Sequence, residues 1–192
     1  MEEFEKITES QPNSLRQQLE DAGIDTSKWG TGESKTLAHL QKEIDDGETV
    51  LTTDESGDLI RRVEFCGGDI YFVSSDGMKH RLKEEKQVFK DGRERKRDLG
   101  HAVSEKMKLG EDHKEAMIRG LREELGIDGD VAINEIGTDK EDLPTSPSYS
   151  GLPSQYIRHR FEIVLNDKQF KPEGYIEESS DMSTFFVWEQ LK

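Results

Sequence analysis

Two adjacent glutamates, Glu123 and Glu124, follow one helical turn after the basic residue Arg119. Magnesium prefers oxygen ligands and retains several waters, so neighbouring glutamates suit it better than histidine or cysteine. A metal held in this way neutralises charge on phosphate oxygens and activates water. Glu123 and Glu124 are therefore candidate ligands for a magnesium ion. The alternative is an exposed helix whose charges serve solubility.

The helix that must present these carboxylates is predicted by its own ends. Asp112 is a suitable N-cap, Glu115 stands where a capping box would place it, and Gly126 suits the left-handed residue that ends a helix. At about 100° per residue, the apolar side chains share one arc. That arc contains Met117, Ile118, Leu121 and Leu125.

The stretch from 109 to 127, LGEDHKEAMIRGLREELGI, resembles the signature of the Nudix family, a loop, helix and loop. The positions that match without gaps are Gly110, Glu111, Arg119, Leu121, Glu123, Glu124, Gly126 and Ile127. The resemblance implies an α/β fold, a Nudix-like α/β/α sandwich with a mixed curved sheet. It also implies hydrolysis of a nucleoside diphosphate linked to another moiety, with Mg²⁺ or Mn²⁺ as cofactor.

The resemblance also implies roles for individual residues. Glu111, Glu123 and Glu124 would be the metal ligands, and Glu123 would also take part in catalysis. Arg119 would orient the neighbouring carboxylates, and Glu111 would either join the site or hold Arg119. The implied partner is a small, nucleotide-type substrate.

Two positions depart from the family pattern. Glu105 replaces the first glycine of the signature, and Gly120 replaces the glutamate after the arginine, which is a central metal ligand. Glycine inside a helix costs about 1 kcal/mol relative to alanine. Either the site was lost and the scaffold was kept for binding, or a carboxylate from another segment replaces the missing one. We rank Glu177 and Glu178 first as the relocated catalytic groups, and Glu105 is a further candidate.

A basic run interrupts this acidic chain between residues 90 and 97. It is interpreted either as a solvated loop or as a rim that contacts substrate phosphates through Arg93, Arg95 and Arg97. Tyr149 is a candidate for stacking on a base, although its sequence context favours a packing role.

The remaining reactive side chains show no pattern of a site. None of the five histidines has metal-ligand spacing, so surface or core-edge positions are expected for them. The single cysteine, Cys66, has no evident base nearby, so a buried structural role is expected.

Composition limits the classes of partner. A net charge of -15 in 192 residues makes nucleic acid an unlikely partner and opposes binding to an anionic membrane. A single cysteine favours a reducing compartment, so we expect a cytoplasmic protein, and no apolar run has membrane-spanning length. A homodimer is compatible with the sequence.

The chain divides into a polar N-terminus with a helical extension, residues 1–57, and a Nudix-like domain, residues 58–192. The extension contains two amphipathic helices, predicted from 14 to 22 and from 34 to 47. The domain begins with an antiparallel meander whose hairpin turn contains Asp76 and Gly77. A long loop is expected from 137 to 155, and another loop, from 171 to 183, carries the glutamates at 177 and 178.

These observations leave two hypotheses for function. The first is a metal-dependent hydrolase, and the second is a catalytically inactive Nudix-fold module that binds a nucleotide or a protein partner. The geometry that separates them is whether Glu123, Glu124 and a third carboxylate lie within reach of one metal ion.

Overall fold

A computed structural model of the chain describes residues 14–32, 34–96 and 100–191. These residues form an α/β fold with three helices and one mixed sheet. The helices are α1 (Leu15–Asp21), α2 (Leu37–Asp45) and α3 (His113–Leu125). The strands are β1 (Val50–Thr53), β2 (Leu59–Val73), β3 (Lys79–Phe89), β4 (Glu94–Arg95), β5 (Val103–Lys106), β6 (Ala132–Leu143), β7 (Ser154–Leu165), β8 (Tyr175–Glu178) and β9 (Met182–Gln190).

The sheet has the strand order β6-β7-β2-β3-β9-β8, with β1 and β5 paired to β2 and β4 paired to β3. The pairing of β2 with β7 is parallel, and the other pairings are antiparallel. The hairpin predicted at Asp76 and Gly77 is confirmed, because β2 and β3 pair across this turn. Gly77 adopts a positive φ of 84° there.

The long strand β2 changes its partner along its length. Residues 71–73 pair with β3, whereas residues 65–68 pair with β5. Helix α3 packs against β5 and also against β8, which lies at the far edge of the sheet beyond β9. The helix therefore bridges β5 and the edge strand β8.

The predicted ends of α3 are confirmed. The side chain of Asp112 accepts hydrogen bonds from the backbone N–H groups of Lys114 and Glu115, and Gly126 has the left-handed φ of 65°. Its apolar arc packs on the sheet in a core cluster with strand residues. The buried members contributed by α3 are Ala116, Met117, Leu121 and Leu125.

Gly67 and Gly68 lie inside β2. Helix α3 and strand β7 approach closely at Gly68. A Cβ atom there would lie 2.7 Å from the Cδ1 of Ile163 and 3.0 Å from the Sδ of Met117. The glycine therefore allows the helix and the neighbouring strand to pack closely.

The long loop predicted from 137 to 155 is wrong in its first part. Strand β6 continues to Leu143 because it pairs with β7 over nearly its whole length, as far as Ser154. The remaining loop packs against the N-terminal helices, where Tyr149 and Leu152 are fully buried. These two residues form a second core cluster with Leu19, Trp29 and Leu40.

The N-terminal helices begin at caps. Ser14 caps α1, whereas α2 is capped by Thr36 rather than by the predicted Ser34. The backbone N–H of His39 donates to the hydroxyl of Thr36, and the His39 ring accepts from the N–H of Thr36 in return. The strand that follows, β1, pairs with β2, so residues 50–53 already belong to the sheet. The division of the chain after residue 57 stays a prediction.

Helix α2 is joined to the sheet by a buried carboxylate. Glu43 accepts hydrogen bonds from Arg61 at 2.8 Å and from Lys35 at 2.6 Å, and Lys106 lies 2.9 Å away. Burial opposes its ionisation, but these three cations outweigh burial and lower the pKa of Glu43 to about 2. The glutamate is therefore charged at neutral pH and fixes α2 against β2 and β5. None of the helices in the described residues has the length and apolarity needed to cross a membrane.

Candidate functional site

Arg119, in the middle of α3, connects the acidic groups of the candidate site. Its Nε and Nη2 atoms donate to the two carboxylate oxygens of Glu111 at 3.0 and 2.9 Å. Its Nη1 atom donates to Glu105 at 2.5 Å, and Nη2 also donates to the carbonyl oxygen of Lys106 at 2.9 Å. The guanidinium is thus fixed between the loop before α3 and strand β5.

These contacts perturb the ionisation of both glutamates. The hydrogen bonds from Arg119 hold the pKa of Glu111 below its usual range. Burial raises the pKa of Glu105, and the hydrogen bond from Arg119 only partly offsets this effect. The pKa of Arg119 is raised, chiefly by its hydrogen bonds with Glu111. Glu105 is consequently the more basic of the two carboxylates.

The two positions that depart from the Nudix pattern are in direct contact. A Cβ atom on Gly120 would lie 2.7 Å from the Cβ of Glu105 and 3.3 Å from the Cγ1 of Val103. Real Cβ atoms do not approach each other so closely, so a side chain at 120 would require β5 or α3 to shift. Glycine at 120 therefore lets Glu105 of strand β5 lie directly against helix α3, with its carboxylate beside Arg119.

The remaining carboxylates of α3 extend from this contact towards the C-terminal end of the helix. Glu123 is exposed, and its Oε2 atom lies 3.8 Å from the Nη1 of Arg119, the atom that also binds Glu105. Glu124 is half-buried. It follows Gly120 by one turn, on the same face of the helix.

The carboxylate side chains of the candidate site are of the type that magnesium prefers, but they do not form a complete set of ligands around one point. The oxygens of Glu105 and Glu123 share one cationic nitrogen, and Mg²⁺ is usually bound through one or two carboxylates, waters and substrate phosphates. Across residues 14–32, 34–96 and 100–191, three metal-ligand atoms converge within 4.8 Å at a different place, formed by His113, Glu135 and His159. Neither the predicted ligands Glu111, Glu123 and Glu124 nor the set of Glu105, Glu123 and Glu124 offers three such atoms within this distance among the described residues.

The glutamates predicted from the later loop lie on β8, and they face opposite sides of the sheet. Tyr175, two residues before Glu177, is buried in the core cluster beneath α3, so Glu177 faces the helix. Glu178 faces the other way and accepts a hydrogen bond from Ser183 at 2.7 Å. Of the two candidates, the structure brings only Glu177 to the side of the sheet that α3 covers.

The basic run is partly connected to the same face. Arg95 donates through Nε and Nη2 to the Oε1 of the buried Gln87, at 2.9 and 2.6 Å. Gln87 pairs with Thr184, and Thr184 pairs with Glu177, so these side chains form one row across β3, β9 and β8. Arg93 instead donates to the neighbouring Asp91 at 2.7 Å, as a solvated loop would. Arg97 lies outside the described residues.

Tyr149 is not available for a substrate. It is fully buried, its ring centroid is 5.1 Å from that of Trp29, and the guanidinium of Arg61 lies 5.0 Å from its centroid. Burial also raises the pKa of its hydroxyl. Tyr149 therefore has a packing role in the second core cluster. Stacking on a base would require part of that cluster to open.

The cluster of His113, Glu135 and His159 was missed by the sequence analysis. These residues come from the start of α3, from β6 and from β7. The spacing of these three residues along the chain does not match that of metal ligands. Only the alternation of apolar and polar residues along β7 indicates that His159 faces inward. A sequence signal for this convergence is therefore absent, because strand pairing creates it.

No family model matches the chain, and no curated protein matches its sequence. Among solved structures, the chain is similar to an Ap4A hydrolase of C. elegans, with 16% identity and a TM-score of 0.37 over 66% of this chain and 79% of that one. A binary complex of a C. elegans Ap4A hydrolase gives 16% identity and a TM-score of 0.38 over 67% and 79% of the two chains. Similarity of this degree assigns neither a family nor an activity to the chain.

Proposed function

We propose that the chain is a Nudix-like hydrolase that cleaves a phosphoanhydride bond in a nucleoside diphosphate derivative with Mg²⁺ or Mn²⁺. The observation that carries the proposal is the contact between Gly120 and Glu105. The carboxylate that the signature lacks on the helix is present on β5, in the space beside the vacated helix position. In this proposal, Glu105 takes the role of the carboxylate that α3 lacks.

The arrangement of Arg119 supports this proposal. It binds Glu111 through two parallel hydrogen bonds, the pairing with the greatest geometric specificity between these groups. Its remaining donor holds Glu105 beside Gly120. In the proposed function, Arg119 and Glu111 position Glu105 and are not themselves consumed in the reaction.

Glu105, Glu123 and Glu124 would hold a divalent metal once their side chains rotate towards one point, and the metal would supply charge neutralisation on the phosphate oxygens and a more acidic water. Glu177 faces the helix from β8 and is the proposed acceptor of the water proton. Arg95, held by Gln87 in the same row, would bind a phosphate oxygen and so orient the substrate.

The sandwich expected from the resemblance is part of this proposal. Two successive residues of β5 point to opposite faces of the sheet. Glu105 contacts Arg119 of α3, whereas Lys106 contacts Glu43 of α2. Helices on both faces are therefore consistent with an α/β/α arrangement in which α3 alone carries the site.

A binding module without hydrolytic activity is the competing function, and one observation favours it. The half-buried Glu105 is already paired with Arg119, and this ion pair must loosen before Glu105 can bind a metal. In that case the chain would bind a nucleotide without converting it.

The experiment that separates the two functions is a substrate screen with Mg²⁺ or Mn²⁺. Dinucleoside polyphosphates, nucleotide sugars and other nucleoside diphosphate derivatives are incubated with the wild-type chain and with Glu124→Gln. Glu115→Gln serves as the matched control, because Glu115 is an exposed residue on the first turn of the same helix. We expect turnover in the wild type and the control and a loss in Glu124→Gln. Equal turnover in all three, or binding without turnover in the wild type, contradicts the hydrolase.

A further inference from the structure

The cluster missed by the sequence analysis has the geometry of a transition-metal site. The Nδ1 atoms of His113 and His159 lie 3.2 and 3.3 Å from the same carboxylate oxygen of Glu135. Zinc bonds of about 2.0–2.1 Å at tetrahedral angles separate neighbouring ligand atoms by about 3.3–3.4 Å. The two separations are hydrogen-bond distances, and they are also close to those that one zinc ion would impose, so the three side chains already lie within reach of one ion.

A β-bulge in β6 places the side chains of Glu135 and Thr138 on the same face of the sheet. Glu135 and Thr138 both contact the Nδ1 of His159, at 3.3 Å in each case. Residues three apart on a regular strand face opposite sides of a sheet. The register of β6 against β7 shifts between Glu135 and Gly137, and this shift returns the two side chains to one face.

His159 is the fixed ligand of the cluster. Its side chain is 7% exposed, and its Nε2 atom has no hydrogen-bond partner among the described residues. The nearest charged group is the Oε2 of Glu64, at 3.7 Å. When a histidine binds a metal through one nitrogen, a carboxylate commonly accepts the proton of the other nitrogen. Glu64 occupies the place of that outer carboxylate.

His113 is the adjustable ligand. Its imidazole centroid is 3.5 Å from that of His159, and the ring planes are inclined by 32°. Tetrahedral coordination requires the rings to diverge further, and the side chain of His113, 40% exposed, has room to rotate. Its backbone is held in place because the thiol of Cys66 donates to its carbonyl oxygen at 3.3 Å.

We propose that His113, Glu135 and His159 form a binding site for Zn²⁺, with Glu64 as the outer carboxylate. Imidazole and carboxylate ligands suit zinc, whereas magnesium prefers oxygen ligands alone. Three protein ligands leave a fourth position for water or another ligand on the exposed side. The ion joins the start of α3 to β6 and β7. It lies about 15 Å along the helix from Glu123, so the site is separate from the proposed hydrolytic one.

Zinc binding by the tag-free, chelator-treated full chain tests this proposal without any nucleotide. Isothermal titration with ZnCl₂ is compared among the wild type, His113→Gln, Glu135→Gln and the control Glu141→Gln, an exposed glutamate on the same strand. We expect one zinc ion per chain in the wild type and the control, and loss of that binding in the two ligand variants. Glu64→Gln should weaken the affinity by roughly 10–100-fold.

Two further readouts keep the outcome independent of folding defects. Zinc should raise the melting temperature of the wild type and of Glu141→Gln but not of His113→Gln, whose exposed site tolerates substitution. Cobalt should give the intense visible absorption of a tetrahedral complex in the wild type but not in His113→Gln or Glu135→Gln. Absence of stoichiometric zinc in the wild type, or its retention in both His113→Gln and Glu135→Gln, overturns the proposal.

Discussion

The contact between Gly120 and Glu105 predicts a strong energetic coupling between the two positions. In Gly120→Glu, the new Cβ atom would lie 2.7 Å from the Cβ of Glu105. Overpacking of this kind costs about 1–3 kcal/mol, whereas removal of an interior helix glycine recovers about 1 kcal/mol. The single variant should therefore be destabilised by about 0–2 kcal/mol, despite its better helix propensity.

The second substitution separates the Cβ contact from the loss of the Glu105 carboxylate. Glu105→Gly removes the clashing Cβ atom, whereas Glu105→Ala removes the carboxylate and keeps the Cβ atom. Urea unfolding of both double-mutant cycles should give a favourable coupling of about 1–3 kcal/mol with Glu105→Gly and much less with Glu105→Ala. Equal coupling in the two cycles, or additivity within about 0.5 kcal/mol in both, would refute the steric explanation.

Three further perturbations follow from the structure. Arg119→Lys loses the paired hydrogen bonds to Glu111 and should therefore lower the free energy of unfolding by about 1–3 kcal/mol, measured by urea titration. Unchanged stability would contradict this expectation. Gly68→Ala should destabilise the fold by about 1–3 kcal/mol because its Cβ would meet Ile163, and a neutral effect would show that α3 can shift. The pKa of Glu43, about 2 in the fold against 4.5 for the unperturbed group, implies stability that is complete above pH 4.5 and is lost as pH falls towards 2. The stability of Glu43→Gln should lack this pH-dependent contribution, which is about 3 kcal/mol at most. Identical pH profiles of stability in the wild type and in Glu43→Gln would contradict the lowered pKa of Glu43.

Local signals predicted α3 well, because both of its ends are determined by neighbouring residues. Asp112 supplies the cap and Gly126 the left-handed residue, whatever the rest of the chain does. The same reasoning placed the hairpin at Asp76 and Gly77. The start of α2 was displaced from Ser34 to Thr36, since both residues are competent caps and the sequence contains no feature that ranks them.

Features that depend on pairing between distant strands were beyond the sequence. Strand β6 extends to Leu143 because β7 offers it a continuous partner, and polar, turn-forming residues concealed this. The sequence identified Glu105 and Gly120 as two separate departures from a signature. Only the packing of β5 on α3 shows that these two positions are in contact. The convergence of His113, Glu135 and His159 likewise depends on contacts between α3, β6 and β7, and the bulge beside Glu135 in β6 has no sequence motif.

The central claim is that Glu105 supplies the carboxylate that α3 lacks, and the rate of phosphoanhydride hydrolysis tests it most directly. The rate is measured with Mg²⁺ and a dinucleoside polyphosphate for the wild type, Glu105→Gln and the control Glu115→Gln, after all three are shown to be folded. The account predicts turnover in the wild type and Glu115→Gln and a loss of at least about tenfold, 1.4 kcal/mol in the barrier, in Glu105→Gln. Turnover in Glu105→Gln equal to that of the wild type would contradict it.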